Sequence, residues 1–284
     1  MPKQAETNAL ENIINNTELI NILHEIIIVN DSCTKLPKPH EDIAKTCNLI
    51  RIINLPKNLA RASACNHGAK VAEGDILWIL DADCIPIKNI HEAIKNIDWV
   101  RFSAITGKVE NTYSDNFWKL YQKSRRALRQ GQNTQNFLIK KELFHEIGGF
   151  DETFKTYGFE DRDLLARIPL GVISYEPTII VEHEGYVDLK LVREKMFYAA
   201  TSGGIFSKKH PNEYKESDYY KVDSRFNSVS RNFLLSCLSK FEAITSPLLN
   251  ALINSKFLPF AIKKHIVIVT SATAYYRGSK EKTL

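Results

Sequence analysis

The chain has 284 residues, of which 44% are hydrophobic and 25% are charged, and its formal net charge is +5. This composition is typical of a globular protein with one large domain, or one domain and an appendage, and it excludes collagen-like and low-complexity chains. The five cysteines contain no CxxC pair, which argues against a disulfide framework, and no zinc-finger or RNA-recognition signature indicates a nucleic-acid partner.

The first half of the chain alternates helical and extended patterns. Residues 5–23 have a broken apolar helical face and predict a helix, and "EIIIVND" (25–31) predicts a short buried strand. A second strand at about 49–53, a helix rich in small residues at 58–75 and a third strand, "ILWIL" (76–80), follow. Strands that alternate with helices predict an α/β fold with a mostly parallel sheet, whose unbroken apolar strands are covered on both faces.

Shorter elements follow in the second half. "VRFSAITGKVEN" (100–111) predicts a strand, and the polar, basic residues 114–130 predict a helix. Residues 136–152 predict a short strand and a helix that ends at a Gly-Gly pair. Residues 159–168 predict a helix with acids in its first turn, where the helix dipole favours them. Residues 172–185 predict a short strand pair.

The character of the chain changes after about residue 188. Residues 207–221 form a polar connector, and residues 225–284 have helical periodicity with many Lys and Arg. We therefore predict an α/β domain over residues 1–187 and a helical extension over residues 188–284. No run of about 18 apolar residues predicts a membrane-spanning helix, and the N-terminus lacks the apolar stretch of a signal peptide.

Acidic residues follow two of the predicted strands. Asp31 ends the first of them, and Asp81 and Asp83 come directly after the third. Ligands of open α/β sheets bind outside the carboxyl ends of the strands, and side chains at i and i+2 share one side of an extended chain. Two such carboxylates repel one another unless a cation lies between them, and Mg²⁺ is usually held by one or two carboxylates together with substrate phosphates. The pair predicts a metal–diphosphate site, with solvated loop acids as the alternative.

Three ordered segments resemble family 2 glycosyltransferases with the GT-A fold. "NLARASACNHGAKVAEGDILWILDAD" (58–83) is similar to the helix and D-x-D strand of that family. "GGFDETFKTYGFEDRDLLARI" (148–168) looks like its G-G-F-D-E and E-D-x-D-L segment, and "EIIIVNDSC" (25–33) looks like its strand that ends in D-D-G-S. The matches cover roughly residues 5–185, and the resemblance implies a Rossmann-like sheet flanked by helices.

The resemblance implies roles on the nucleotide side of the site. Asp31 would accept a hydrogen bond from the uracil ring of a UDP-sugar, and Arg61 and Asn66 would face the nucleotide from their helix. Asp81 would contact the ribose or the sugar. For Asp31 the alternative is a side chain that caps the following turn.

The resemblance also implies metal ligands and catalytic acids. Asp83 would bind a Mn²⁺ or Mg²⁺ ion that bridges the diphosphate, and His183 would be a further ligand. Asp161 would be the general base for the acceptor hydroxyl, and Glu160 would orient the acceptor or the base. For Glu160 and Asp161 the alternative is a pair of acids that stabilise the start of a helix by interacting with its macrodipole. For His183 the alternative is an ordinary hydrogen-bonded side chain.

The sequence departs from the family pattern in three places. The strand that normally opens the domain and ends in Pro-x-x-Asn has no counterpart in the first ten residues, so either the chain starts late or another segment takes the place of this strand in base recognition. Asn30 replaces the first acid of the D-D pair, and Phe159 replaces the commoner glycine before Glu160. None of these changes removes a proposed catalytic carboxylate.

The function implied by the resemblance is metal-dependent, inverting transfer of a hexosyl or N-acetylhexosaminyl group from a UDP-sugar to a glycan or lipid-linked acceptor, as in polysaccharide biosynthesis. A nucleotide-sugar-binding protein with little or no turnover is the alternative. A nucleotidyltransferase would need a Gly-rich phosphate loop near its N-terminus, and none is present.

The C-terminal segment 256–278 is apolar but interrupted by Lys263, Lys264 and His265, so it is too broken to span a bilayer. It could lie on an anionic membrane surface, or form a helical hairpin that packs on the catalytic domain or on a second subunit. We accordingly expect a cytoplasmic protein, with peripheral contact at the inner face of the membrane and a homo-oligomer through these helices as open alternatives.

Overall fold

The computed structural model describes residues 2–32, 34–112, 116–124, 133–183 and 187–281. Within these ranges the strands are β1 (Ile26–Asn30), β2 (Ile50–Asn54), β3 (Ile76–Leu80), β4 (Cys84–Pro86), β5 (Ala104–Asn111), β6 (Asn136–Lys140) and β7 (Ile173–His183). The helices are α1 (Pro2–Asn15), α2 (Thr17–Ile20), α3 (Lys38–Ala44), α4 (Arg61–Val71), α5 (Ile90–Lys95), α6 (Asn116–Ser124), α7 (Lys141–Glu146), α8 (Glu160–Arg167), α9 (Leu189–Lys209), α10 (Pro211–Lys215), α11 (Val229–Asn254) and α12 (Phe260–Lys280).

Most elements with a clear apolar pattern form where the sequence predicts them. The helix predicted over 5–23 is broken at Asn16, whose side chain accepts a hydrogen bond from the Leu19 N–H and caps α2. The pattern does not predict α3, β4 or α5, because segments this short contain too little periodicity. The predicted connector 207–221 contains the end of α9 and all of α10. Of the helix predicted over 114–130, α6 is described, and residues 125–130 lie outside the described residues.

The strands form two sheets. β1 and β2 pair in parallel, and the larger sheet has the strand order β3-β6-β5-β7-β4. The predicted α/β class with flanking helices is confirmed, but the larger sheet is mixed rather than mostly parallel. In it β5 and β7 pair in parallel, whereas β6 runs antiparallel to both β3 and β5, and β4 runs antiparallel to β7. An apolar run predicts a covered strand, but it contains no information about the direction of the neighbouring strands.

β7 is a single strand of 11 residues and not the predicted strand pair. Its register along β5 jumps from Glu176 to Ile180, which marks a bulge in the parallel ladder. Pro177 lies in the skipped segment, where it has no N–H to donate to a neighbouring strand. The bulge therefore replaces the turn that the sequence pattern indicates.

Small residues allow α4 to pack closely on the sheets. A Cβ atom on Gly68 would lie 3.2 Å from Cγ2 of Val29 in β1, which is a tight contact, so the glycine allows the helix to lie close to that strand. Ala62 and Ala69 are buried in the core that also contains the inner side chains of β3. The first residue of α4, Arg61, is thereby held near the carboxyl ends of β1 and β3.

All the described strands belong to one compact unit, which comprises residues 2–112, 133–155 and 160–183 of the described chain. The described part of a second unit comprises residues 116–124, 156–159 and 187–281. In the second unit α12 packs on α9 and α11, so that α11 and α12 form a helical hairpin. No helix in the described ranges is both long enough and apolar enough to cross a membrane.

Candidate active site

Three of the predicted site residues follow strands of the first unit. Asp31 follows β1, and Asp81 and Asp83 follow β3. The N–H of Leu59, just before α4, donates a hydrogen bond of 2.6 Å to Oδ1 of Asp31. Asp31 thus connects the end of β1 to the start of α4, and its contact with a uracil ring stays a prediction.

Arg61 joins two acidic segments that are far apart in the sequence. Its Nε and Nη2 atoms donate hydrogen bonds of 3.0 and 2.8 Å to Oδ1 of Asp81. Its Nη1 atom donates a hydrogen bond of 2.8 Å to Oδ1 of Asp161 in the first turn of α8, and Oε1 of Glu160 lies 4.0 Å from the same nitrogen. One guanidinium group therefore lies within 4.0 Å of the first acid of the predicted D-x-D pair and of both predicted acids of α8.

The surrounding acids maintain the positive charge of Arg61. Burial disfavours a charged guanidinium, but the carboxylates of Asp81 and Asp161 outweigh this effect and raise the pKa of Arg61 well above its usual value. Arg61 is consequently a permanent cation, for which an anionic ligand such as a diphosphate would be a competing partner.

Thr134 completes this cluster, although nothing in the sequence indicates it. It is fully buried just before β6, and its hydroxyl group accepts a hydrogen bond of 3.1 Å from Arg61 and donates one to Oδ1 of Asp161. Its backbone carbonyl accepts a second bond of 3.1 Å from Arg61. The pairing of β6 with β3 brings Thr134 to this position, and that pairing cannot be read from a polar residue in front of an apolar strand.

Glu160 has a strongly raised pKa. Burial and the neighbouring carboxylate of Asp161 raise the pKa of Glu160 from 4.5 to about 7, against the attraction of Arg61. Its Oε2 atom is buried and has no hydrogen-bond partner in the part of the chain that the structure describes. A carboxyl group with these properties gains and loses a proton near neutral pH, which is typical of acids at reaction sites.

Replacing Glu160 with Gln is expected to raise the free energy of unfolding at pH 8 by about 3 kcal/mol, because each unit of pKa shift corresponds to about 1.4 kcal/mol. Between pH 4.5 and about 7 the unfolded chain releases the Glu160 proton while the folded protein still holds it, so wild-type stability falls as the pH rises through this window. The Gln variant has no such loss. Urea unfolding of both proteins at pH 5 and pH 8 measures the difference.

The exposed Glu92 of α5 offers a matched control, since Glu92→Gln makes the same chemical change on the surface. The free energy of unfolding of the Glu92→Gln variant should differ from that of the wild type by the same amount at pH 5 and at pH 8. If the stability of Glu160→Gln relative to the wild type were no greater at pH 8 than at pH 5, the raised pKa of Glu160 would be contradicted.

The strand register places His183 beside Asp83. His183 pairs with Cys84 across the β4–β7 ladder, and its Nε2 atom lies 3.2 Å from Oδ2 of Asp83. Asn111 pairs with His183 across the β5–β7 ladder, and its Oδ1 atom lies 3.0 Å from Nδ1 of the ring. The ring therefore presents its second nitrogen, Nε2, to Asp83.

Asp83 and His183 fit a divalent ion as two adjacent ligands. Ligands about 2.1 Å from an octahedral ion lie about 3 Å apart when they are neighbours, and the two side-chain atoms are 3.2 Å apart. No group of three or more His, Cys, Asp and Glu side chains with the arrangement of a metal site occurs in the described ranges. The remaining positions around an ion here would be left to water and substrate phosphate, as is usual for Mg²⁺.

Asn66 forms hydrogen bonds with the Gly-Gly-Phe-Asp-Glu segment (148–152). Its Nδ2 atom donates hydrogen bonds of 2.9 Å to the Phe150 carbonyl and to Oε1 of Glu152, and its Oδ1 atom accepts one of 2.9 Å from the Phe150 N–H. A Cβ atom on Gly149 would lie only 2.6 Å from Oδ1 of Asn66, so the segment needs glycine there. These contacts assign Asn66 to holding the segment before α8, and its predicted contact with the nucleotide stays a prediction.

The Asn66→Ala variant is expected to lose about 2–3 kcal/mol of unfolding free energy, because it removes three hydrogen bonds and leaves backbone groups of Phe150 without their partners. Urea unfolding measures the loss. The same substitution at the exposed Asn96, at the end of α5, should cost well below 1 kcal/mol. Equal stability of the Asn66 variant and this control would show that the segment is held by other contacts.

The sequence pattern of Glycosyl transferase family 2 matches residues 7–162, which is more than half of the chain. No curated protein matches the chain in sequence.

Solved structures share the fold at low sequence identity. The mannosyltransferase PcManGT from Pyrobaculum calidifontis, in complex with GDP-Man and Mn²⁺, aligns with a TM-score of 0.58 and 14% identity over 96% of this chain and 83% of its own. S. aureus TarS 1–349 in complex with UDP aligns with a TM-score of 0.53 and 15% identity over 97% and 87%. GalNAc-T7 with UDP, GalNAc and Mn²⁺ aligns with a TM-score of 0.52 and 18% identity over 77% and 54%.

Proposed function

This chain belongs to glycosyl transferase family 2, and we propose that it transfers a hexosyl or N-acetylhexosaminyl group from a UDP-sugar to a hydroxyl group of a glycan or lipid-linked acceptor. The observation that carries the proposal is the contact of Arg61 with both Asp81 and Asp161. One side chain thus contacts both the acid after β3 and Asp161 in the first turn of α8. A transfer between two bound substrates requires such proximity. We place the reaction in the domain of residues 1–187.

The donor would bind at the carboxyl ends of β1 and β3. Asp31 would accept a hydrogen bond from the uracil ring, and Asp81 would contact the ribose or the sugar. Asp83 and His183 would hold Mn²⁺ or Mg²⁺, and their 3.2 Å separation and the Mn²⁺ in the PcManGT and GalNAc-T7 structures support this assignment. Such an ion, when bound, neutralises the charge on a departing diphosphate.

The acceptor would be activated by Asp161. Its carboxylate takes the proton of the acceptor hydroxyl as that oxygen bonds to the anomeric carbon, and the bond from the anomeric carbon to the diphosphate oxygen breaks with its electron pair leaving on UDP. A single displacement of this kind inverts the configuration at the anomeric carbon. Arg61 donates a hydrogen bond to Asp161 in the structure. An anionic donor that attracts Arg61 would release this carboxylate for the acceptor hydroxyl as the donor binds, while Glu160 orients the acceptor or the base.

Release of UDP from a panel of UDP-hexoses and UDP-N-acetylhexosamines, with Mn²⁺, Mg²⁺ or EDTA, tests the proposal. We expect slow, metal-dependent release from at least one UDP-sugar without acceptor, and none from GDP-mannose. Release from GDP-mannose alone would overturn the choice of UDP. Tight binding of UDP-sugars without release, across many acceptors, would favour the nucleotide-sugar-binding alternative.

A further inference from the structure

The exposed side of α11 is strongly apolar. Large side chains that are between 58% and 87% exposed occur along its length, namely Val229, Phe233, Leu234, Phe241, Ile244 and Leu248. At the helical spacing of about 100° per residue, these positions fall within about half of the helix circumference. They therefore form one continuous face along the helix.

The other side of α11 is buried and includes polar residues. Ser239 and Glu242 are buried, and Glu242 accepts a hydrogen bond of 2.6 Å from Arg193 of α9 and lies 3.5 Å from Arg277 of α12. A surface helix of a globular protein normally has the opposite arrangement, with its apolar stripe toward the core. An exposed apolar face of this size marks an interaction surface.

The connection to α12 adds further exposed apolar side chains. Phe257 is 97% exposed, and Phe260 and Ile262 in the first turn of α12 are also exposed. The α11–α12 surface is defined here as the exposed apolar face of α11 together with these three residues.

The exposed charges of the segment that contains the α11–α12 surface all have one sign. Between residues 226 and 280 the sequence has a single acidic residue, Glu242, which is buried. The basic residues of the same segment are Arg231, Lys240, Lys256, Lys263, Lys264, Arg277 and Lys280. Arg231, Lys240 and Lys256 are exposed, and the helical spacing places Lys240 on the apolar side of α11.

We propose that the α11–α12 surface binds the surface of a lipid bilayer that contains anionic lipids. Its Phe, Leu and Ile side chains would enter the boundary between headgroups and acyl chains, while its Lys and Arg side chains would contact the lipid phosphates. A second copy of the chain is a poorer partner, since a twofold interface would bring two cationic faces together with no exposed acid in the segment to pair them.

Sedimentation of the full chain with lipid vesicles tests this inference. We expect binding to vesicles of equimolar phosphatidylcholine and phosphatidylglycerol, at least about tenfold weaker binding to pure phosphatidylcholine, and release from the anionic vesicles by high salt. The double variant Phe241→Ser/Ile244→Ser should bind at least about tenfold more weakly, because it removes two large apolar side chains from the contact. Lys240→Glu should bind at least about fivefold more weakly.

Matched controls lie on the first unit, where Val100 and Leu170 are 99% exposed and Lys95 is exposed. The double variant Val100→Ser/Leu170→Ser and the single variant Lys95→Glu make the same kinds of change and should bind vesicles like the wild type. All the substituted side chains are exposed, and circular dichroism checks that each variant is folded. Absence of vesicle binding, equal binding to both lipid mixtures, or a dimer in light scattering that Phe241→Ser/Ile244→Ser dissociates would overturn the proposal.

Discussion

Replacing Asp161 with Asn is expected to slow sugar transfer by about 10²–10⁴-fold, the range that general-base catalysis supplies, and to leave the affinity for UDP close to that of the wild type. The Asn side chain keeps an oxygen that can accept hydrogen bonds from Arg61 and Thr134, as Asp161 does, so the cluster around Arg61 should persist. It cannot take up the proton of an acceptor hydroxyl. Steady-state release of UDP measures the rate, and calorimetry with UDP and Mn²⁺ measures the affinity.

Asp75 provides the matched control, because it is exposed and precedes β3 at the opposite end from Asp81. Asp75→Asn should change neither rate nor affinity. Glu160→Gln distinguishes Glu160 from Asp161: if Glu160 were the base, the Glu160→Gln variant would show the large loss of transfer rate and Asp161→Asn a small one. Turnover of Asp161→Asn near the wild-type level would remove Asp161 from the base role.

Replacing Asp83 with Ala is expected to abolish the metal-dependent part of UDP binding. Asp83 and His183 are adjacent candidate ligands, and without the carboxylate the remaining imidazole is a weak site for a hard cation. In calorimetry, the wild type should bind UDP clearly more tightly with Mn²⁺ than with EDTA, whereas the affinity of the variant for UDP should be the same in both conditions. We expect the loss to exceed the roughly 10–100-fold that is typical for removal of a residue that only orients a ligand.

Two further variants define the result. Asn111→Ala, which removes the partner of the His183 ring, should weaken metal-dependent binding by about 10–100-fold and not abolish it. Asp75→Ala should bind UDP and Mn²⁺ like the wild type. Metal-dependent affinity that is unchanged in Asp83→Ala would refute a metal site at this position.

The positions of the acids could be predicted because they depend on local features of the chain. An apolar run ends at Asp31 and another ends before Asp81, and a helix with acids in its first turn begins at Glu160. Strand ends and helix starts are determined within a few residues, so a single sequence indicates them. The resemblance to the glycosyltransferase family then supplied roles for these positions.

The partners of the site residues could not be predicted in the same way. The sequence predicts that Asn66 faces the nucleotide, but it gives no sign of the hydrogen bonds to Phe150 and Glu152 that the structure shows. Helical periodicity indicates on which face of the helix a residue lies, but it does not indicate which other segment of the chain contacts that face. Thr134 and Asn111 lie in polar or loosely alternating stretches without any motif, and only the neighbouring strands bring them to Asp161 and His183.

By itself, the sequence determined the α/β class, the acids after β1 and β3, and the acidic first turn of α8, because each depends on residues close together in the chain. Only the tertiary structure decided that Arg61 contacts Asp81 and Asp161, which are 20 and 100 positions away, and that His183 lies beside Asp83. Those contacts depend on strand order and register, which arise from packing between distant segments and are not contained in the periodicity of any one of them.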